Sequence, residues 1–67
     1  MLTYQFDPSA GIPKYDQLYS AVRADIVRGA LAPGERMPSK RSLAEHLGVS
    51  VVTVETAYGR LADEGYL

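Results

Sequence analysis

The stretch Ser39-Lys40-Arg41-Ser42-Leu43-Ala44-Glu45-His46-Leu47-Gly48-Val49-Ser50-Val51-Val52-Thr53-Val54 decides the fold, because it holds two helix starts with one helix stop between them. A serine hydroxyl can accept a hydrogen bond from an otherwise unpaired N–H of a first helical turn, and Ser39 and Ser50 both stand where such a cap belongs. Leu43, Ala44 and Leu47 recur at helical spacing, and Gly48 closes the first of the two helices. Val49, just before the second cap, is placed to staple against Val54 inside the next helix. Two helices joined by about three residues form a helix-turn-helix only if the second crosses closely over the first. That demands small residues at fixed places. Ala44 permits the approach, Gly48 allows a backbone conformation that a side chain would penalise, and Val54 fills the wedge.

Outward from this core stretch, the second of the two helices turns Val54, Ala57, Tyr58 and Leu61 inward and stops at Asp63-Glu64-Gly65. Tyr66-Leu67 is expected to begin a strand. Upstream, Tyr15, Leu18, Tyr19, Val22 and Ile26 recur at helical spacing and Gly29 ends the run, which predicts a first helix over residues 14–28. Ala30 to Pro38 forms a connector with a Pro33-Gly34 pair, and its Leu31 and Met37 are expected to plug the core. Residues 1–13 carry the alternating Leu2, Tyr4 and Phe6 and then the turn formers Asp7-Pro8-Ser9-Ala10-Gly11, so they form an N-terminal arm with room for one strand. The expected fold class is mainly α, a three-helix helix-turn-helix over residues 14–67 behind an arm over residues 1–13.

Composition narrows the function. Sixty-seven residues suit one small domain with a thin core, and the 46% hydrophobic and 22% charged fractions are those of a globular chain. Cysteine is absent, which excludes both a disulfide framework and a thiolate metal site. No apolar run approaches a membrane span and the N-terminus lacks the pattern of a signal peptide, so the expected location is the cytoplasm. The net charge of −1 argues at first against nucleic acid, but its distribution matters more. Arg36, Lys40 and Arg41 lie within six residues, and Glu45 is the only acid between Arg36 and Val54.

The run Pro38-Ser39-Lys40-Arg41-Ser42-Leu43-Ala44-Glu45-His46-Leu47-Gly48-Val49-Ser50 resembles the N-terminal winged-helix signature of GntR-family transcriptional regulators. The likeness continues through Thr53-Val54, Ala57-Tyr58, Leu61 and Glu64-Gly65-Tyr66-Leu67, and upstream through Pro13 to Tyr19 and Gly29 to Pro38, covering roughly residues 12–67. Gln17-Leu18-Tyr19 and Ala57-Tyr58 look most like the MocR branch, in which this domain is joined to an aminotransferase-like domain that binds pyridoxal phosphate. The YtrA-type branch shares the Ala-Tyr pair and is the alternative. The resemblance implies sequence-specific binding to double-stranded DNA by a bacterial regulator that works as a homodimer. It also implies a wing and an effector domain outside this sequence, with pyridoxal phosphate confined to that effector domain.

On that reading the third helix lies in the major groove and presents Ser50, Val51, Val52, Thr53 and Thr56, while Arg36, Ser39, Lys40 and Arg41 meet phosphates at the start of the second. Arg41 matches the family's recurrent arginine. Two positions depart from the pattern. Val51 stands where many members place arginine, and it either packs against thymine methyl groups or stiffens the first helical turn. Glu55 also replaces arginine, and it either accepts from a cytosine amino group or faces solvent. Arg60 is open between a backbone contact and an ion pair with Asp63 or Glu64. Tyr15 and Tyr19 read as core or dimer contacts. His46 has no second histidine or cysteine for a metal and no partner for catalysis, and neither Lys14 nor Lys40 suits a Schiff base, so no enzymatic role is expected. The rival reading from another class is a protein-interaction or dimerisation module on the same scaffold, without DNA contact.

Overall fold

Three helices, α1 over Lys14–Val27, α2 over Lys40–Leu47 and α3 over Val51–Asp63, make up the regular structure in a computed structural model that describes residues 3–32 and 36–67. The expected Pro33-Gly34 turn, Glu35 and Leu2 of the alternating arm lie outside the described residues.

Each helix begins and ends where local chemistry dictates. Ser39 and Ser50 sit in extended conformation as N-caps, and their hydroxyl oxygens accept from the backbone N–H of Ser42 and Thr53, both at 3.1 Å. Pro13 precedes α1 with its fixed φ of −61°, and its carbonyl accepts from Asp16 and Gln17. Gly48 ends α2 at φ 71°, in the left-handed region, so that both its own N–H and that of Val49 return to the Ala44 carbonyl. A residue with a Cβ would be strained there.

Helix α3 is the central element. It packs against both α1 and α2, which make no such packing with each other. The buried core takes Leu18, Tyr19 and Val22 from α1, Leu31 from the connector, Leu43 and Ala44 from α2, and Val54, Ala57 and Leu61 from α3. Met37, Leu47, Val49 and Tyr58 pack around it half-buried, so the inward faces of α2 and α3 fall where helical spacing puts them, and Leu31 and Met37 plug the core from the connector. With so few buried side chains, each carries a large share of the stability.

Neither expected strand forms among the described residues. Tyr4 and Phe6 instead pack against the core cluster, and the arm is tied down by polar contacts. The Tyr4 hydroxyl donates to Asp25 at 2.8 Å, and the Gln17 side chain accepts from the Asp7 N–H while donating to the carbonyls of Asp7 and Ile12. Tyr66 is likewise engaged elsewhere. Its N–H bonds the Leu61 carbonyl at 2.9 Å, closing the C-terminus of α3, and its ring lies on the core. A strand needs a neighbour to take its N–H and C=O groups, and among the described residues there is none beside Tyr66-Leu67.

Candidate nucleic-acid interface

The starts of α2 and α3 carry all the expected contact residues, and the structure sorts them into groups that are exposed and groups already engaged. Arg36, Ser39, Lys40 and Arg41 are exposed at the approach to α2 and in its first turn. Among the described residues Arg36 and Arg41 have no acidic partner, whereas Arg28 pairs with Asp25 and Arg60 with Asp16 and Glu64. Two unpaired guanidinium groups beside a helix N-terminus, where the dipole favours negative charge, form a local electropositive site on a chain of net charge −1.

The serines play a different part. Ser39 Oγ accepts from the Ser42 N–H and donates its proton to Ser42 Oγ at 2.9 Å, so its hydroxyl is occupied in holding the helix start. Ser50 Oγ accepts from the Thr53 N–H and also bonds Thr53 Oγ1, leaving Thr53 half-buried against the cap. In the first two turns of α3 the side chains that project outward are therefore Val51, Val52, Glu55 and Thr56. Val52, at 67% exposure, stands out further than Val51 at 42%. Two exposed valines on the first turn of a helix have no packing role that would explain both, since the core is filled by Val54, Ala57 and Leu61 from the other side.

Two contacts at this face were not legible in advance. Tyr58, on α3, donates its hydroxyl proton to the Pro38 carbonyl at 2.9 Å, joining α3 to the backbone immediately before the Ser39 cap. Half-burial pushes this phenol above its ordinary pKa, so it stays a donor through the neutral range. A half-buried tyrosine hydroxyl needs a partner, and that general signal was present in the sequence even though the partner was not. Tyr58→Phe keeps the ring and removes the bond, and is expected to lower stability by about 1 kcal/mol. In a domain of this size that is a drop of roughly 4–8 °C in a thermal melt. The second contact is an ion pair between Lys40 and Glu55, Nζ to Oε2 3.7 Å, which bridges α2 and α3.

Arg60 belongs to the opposite side of α3. Its guanidinium lies 4.0 Å above the Tyr19 ring, 3.2 Å from Asp16 and 3.8 Å from Glu64, while the Tyr19 hydroxyl donates to Glu64. The expected pairing with Glu64 is present, but the arginine is chiefly a bracket between α1 and α3 and is withdrawn from the α2–α3 face. His46 lies at the far end of α2, where its Nε2 meets Thr3 Oγ1 at 2.9 Å. Among the described residues no group of three acidic, histidine or cysteine side chains is arranged to hold a metal.

Comparison with known proteins places this arrangement. The family described as "Bacterial regulatory proteins, gntR family" matches residues 14–67. The chain is 48% identical over 56 residues to the uncharacterized HTH-type transcriptional regulator YdeL of Bacillus subtilis, covering 84% of this chain and 12% of that protein. It is 48% identical over 61 residues to the probable rhizopine catabolism regulatory protein MocR of Rhizobium meliloti, covering 91% of this chain and 12% of that one. Among solved structures it is similar to YtrA from Sulfolobus acidocaldarius, a GntR-family transcription factor, with a TM-score of 0.86 and 41% identity over 91% of this chain and 65% of that chain. The chain thus spans about an eighth of the length of YdeL and MocR.

Proposed function

Because the chain belongs to the gntR family of bacterial regulatory proteins, we propose that it is the part of a transcriptional regulator that binds double-stranded DNA, with α3 laid in the major groove and the start of α2 on the phosphate backbone. The observation that carries this is the pairing of two exposed arginines without an acidic partner among the described residues, Arg36 and Arg41, with an outward α3 turn whose exposed valines serve no core. Arg36, Lys40 and Arg41 supply sequence-independent attraction. Ser39 and Ser50 hold the two helix starts in place and offer their N-terminal backbone to phosphates. Val51, Val52 and Thr56 face base edges, and Thr53 supports them through the Ser50 cap.

Two exposed valines favour the thymine methyl as their contact, since they cannot hydrogen-bond. One domain of this size reads few base pairs, so two copies acting about 34 Å apart, or a multiple of that, are part of the proposal. The 48% identity to MocR favours an effector domain of that branch in the whole regulator. Pyridoxal phosphate would belong there, because both lysines of this chain are exposed, with Lys14 on a shallow cleft beside Phe6, Ile12 and Gln17, and neither is enclosed as a Schiff-base lysine needs to be. A cytoplasmic regulator fits a chain in which no described helix is long and apolar enough to cross a membrane.

Titration of labelled duplex DNA at two salt concentrations tests the reading. Affinity is expected to fall steeply with salt as counterions are released, and salt-independent or absent binding would favour a protein-interaction module instead. Selection from a randomised duplex pool then tests the valines: Val51→Ala is expected to lose a few-fold preference at one T-bearing position and nowhere else. An unchanged base preference would leave Val51 as a stiffener of the first turn of α3.

A further inference from the structure

Among the described residues the Lys40–Glu55 pair is the one ion pair on the proposed DNA face, and it works against binding. Lys40 opens α2 and Glu55 lies one turn into α3, so the pair spans the gap between the two elements that approach the duplex. Glu55 shares a stripe of α3 with Val51 and Val52, four and three residues before it, and with Gly59 four residues after. A carboxylate on that stripe is carried to the polyanionic duplex whenever the valines are. It is 60% exposed, and Lys40 is 48% exposed, so neither charge is committed to the protein interior.

The geometry points to a function for this opposition. At 3.7 Å the pair is an ion contact without a hydrogen bond, and the ammonium group keeps its donors for another acceptor. An exposed pair of this kind contributes little to stability. Its electrical effect on a polyanion is larger, because Glu55 cancels one of the three cations, Arg36, Lys40 and Arg41, that form the footprint. We propose that Glu55 restrains DNA affinity by holding Lys40 away from the phosphate backbone. Non-specific binding is thereby kept weak, and a larger share of the affinity rests on base contacts made by α3. This rests on the DNA-binding reading above.

The test uses the 67-residue chain and a labelled mixed-sequence duplex of about two helical turns. Glu55→Gln, nearly isosteric at an exposed site, is expected to tighten binding about three- to tenfold at low salt and to steepen the log–log salt slope by about 0.9. Asp63→Asn makes the same change of charge two turns further along α3, about 12 Å away and without a lysine partner among the described residues. At about 0.1 M salt, where the screening length is about 10 Å, it is expected to move affinity by less than about twofold. With Lys40→Met already in place, the gain from Glu55→Gln is expected to shrink to the Asp63→Asn level, because no lysine is left to release. A Glu55→Gln chain that binds no tighter overturns the proposal. So does one that binds more weakly to cytosine-bearing duplexes alone, which would make Glu55 a base reader. If the unaltered chain shows no salt-dependent binding at all, the DNA reading itself falls, a result distinguishable from either of those.

Discussion

Leu43→Ala is expected to remove about 2–5 kcal/mol of folding stability, the usual range for truncating a fully buried leucine. The size of the effect follows from the shortness of α2. Eight residues are too few to hold a helix in water unaided, so α2 persists because Leu43 and Ala44 are buried against α3. Removing Leu43 leaves alanine as its only fully buried anchor and opens a cavity at the joint that sets the α2–α3 angle. A domain of 67 residues has in total about 3–10 kcal/mol at typical stabilities per residue. The variant should therefore be partly or wholly unfolded at growth temperature, with its denaturant midpoint lowered in proportion and DNA binding lost with it. Val51→Ala, on the same turn-helix unit but exposed, should change folding stability by no more than about 0.5 kcal/mol. Equal effects at the two positions would mean that α2 is not held by this core.

Arg41→Ala is the functional counterpart, expected to leave the melting temperature nearly unchanged and to weaken DNA binding about tenfold at low salt. The arginine is exposed and makes no ion pair among the described residues, so nothing in the fold depends on it. If it neutralises one phosphate, its loss flattens the log–log salt slope by about 0.9 and weakens all sequences alike. A loss confined to one base position would reassign Arg41 to base reading. Arg28→Ala, which breaks the pair with Asp25 at the far end of α1, serves as the matched control and should leave both affinity and slope in place.

The helix boundaries were legible because their causes are local. Ser39, Ser50 and Gly48 act on backbone groups within five residues of themselves, and the hydrogen bonds they make are those their residue types imply. The inward residues were legible for the same reason, since helical spacing alone puts Leu43 and Ala44, or Val54, Ala57 and Leu61, on one face. The strand expected at Tyr66-Leu67 failed on a non-local condition. Residue type favours a strand there, but pairing needs a neighbour, and the Tyr66 N–H went to the end of α3.

The exposure of the candidate contact residues was legible in part, and their wiring was not. Arg36 and Arg41 are the exposed cations that the charge distribution suggests, yet Lys40 shares its charge with Glu55, and Ser39, Ser50 and Thr53 spend their hydroxyls on capping. The sequence by itself therefore determined three helices, their ends, their buried faces and the residues crowded at the starts of α2 and α3. Only the tertiary structure decided which charges remain available. The pairs that settle this, Lys40 with Glu55, Arg60 with Asp16 and Tyr19, and Tyr58 with Pro38, join positions 15 to 44 residues apart. Such pairs depend on how the helices cross, which is set by the fit of side chains in the core and has no period along the chain.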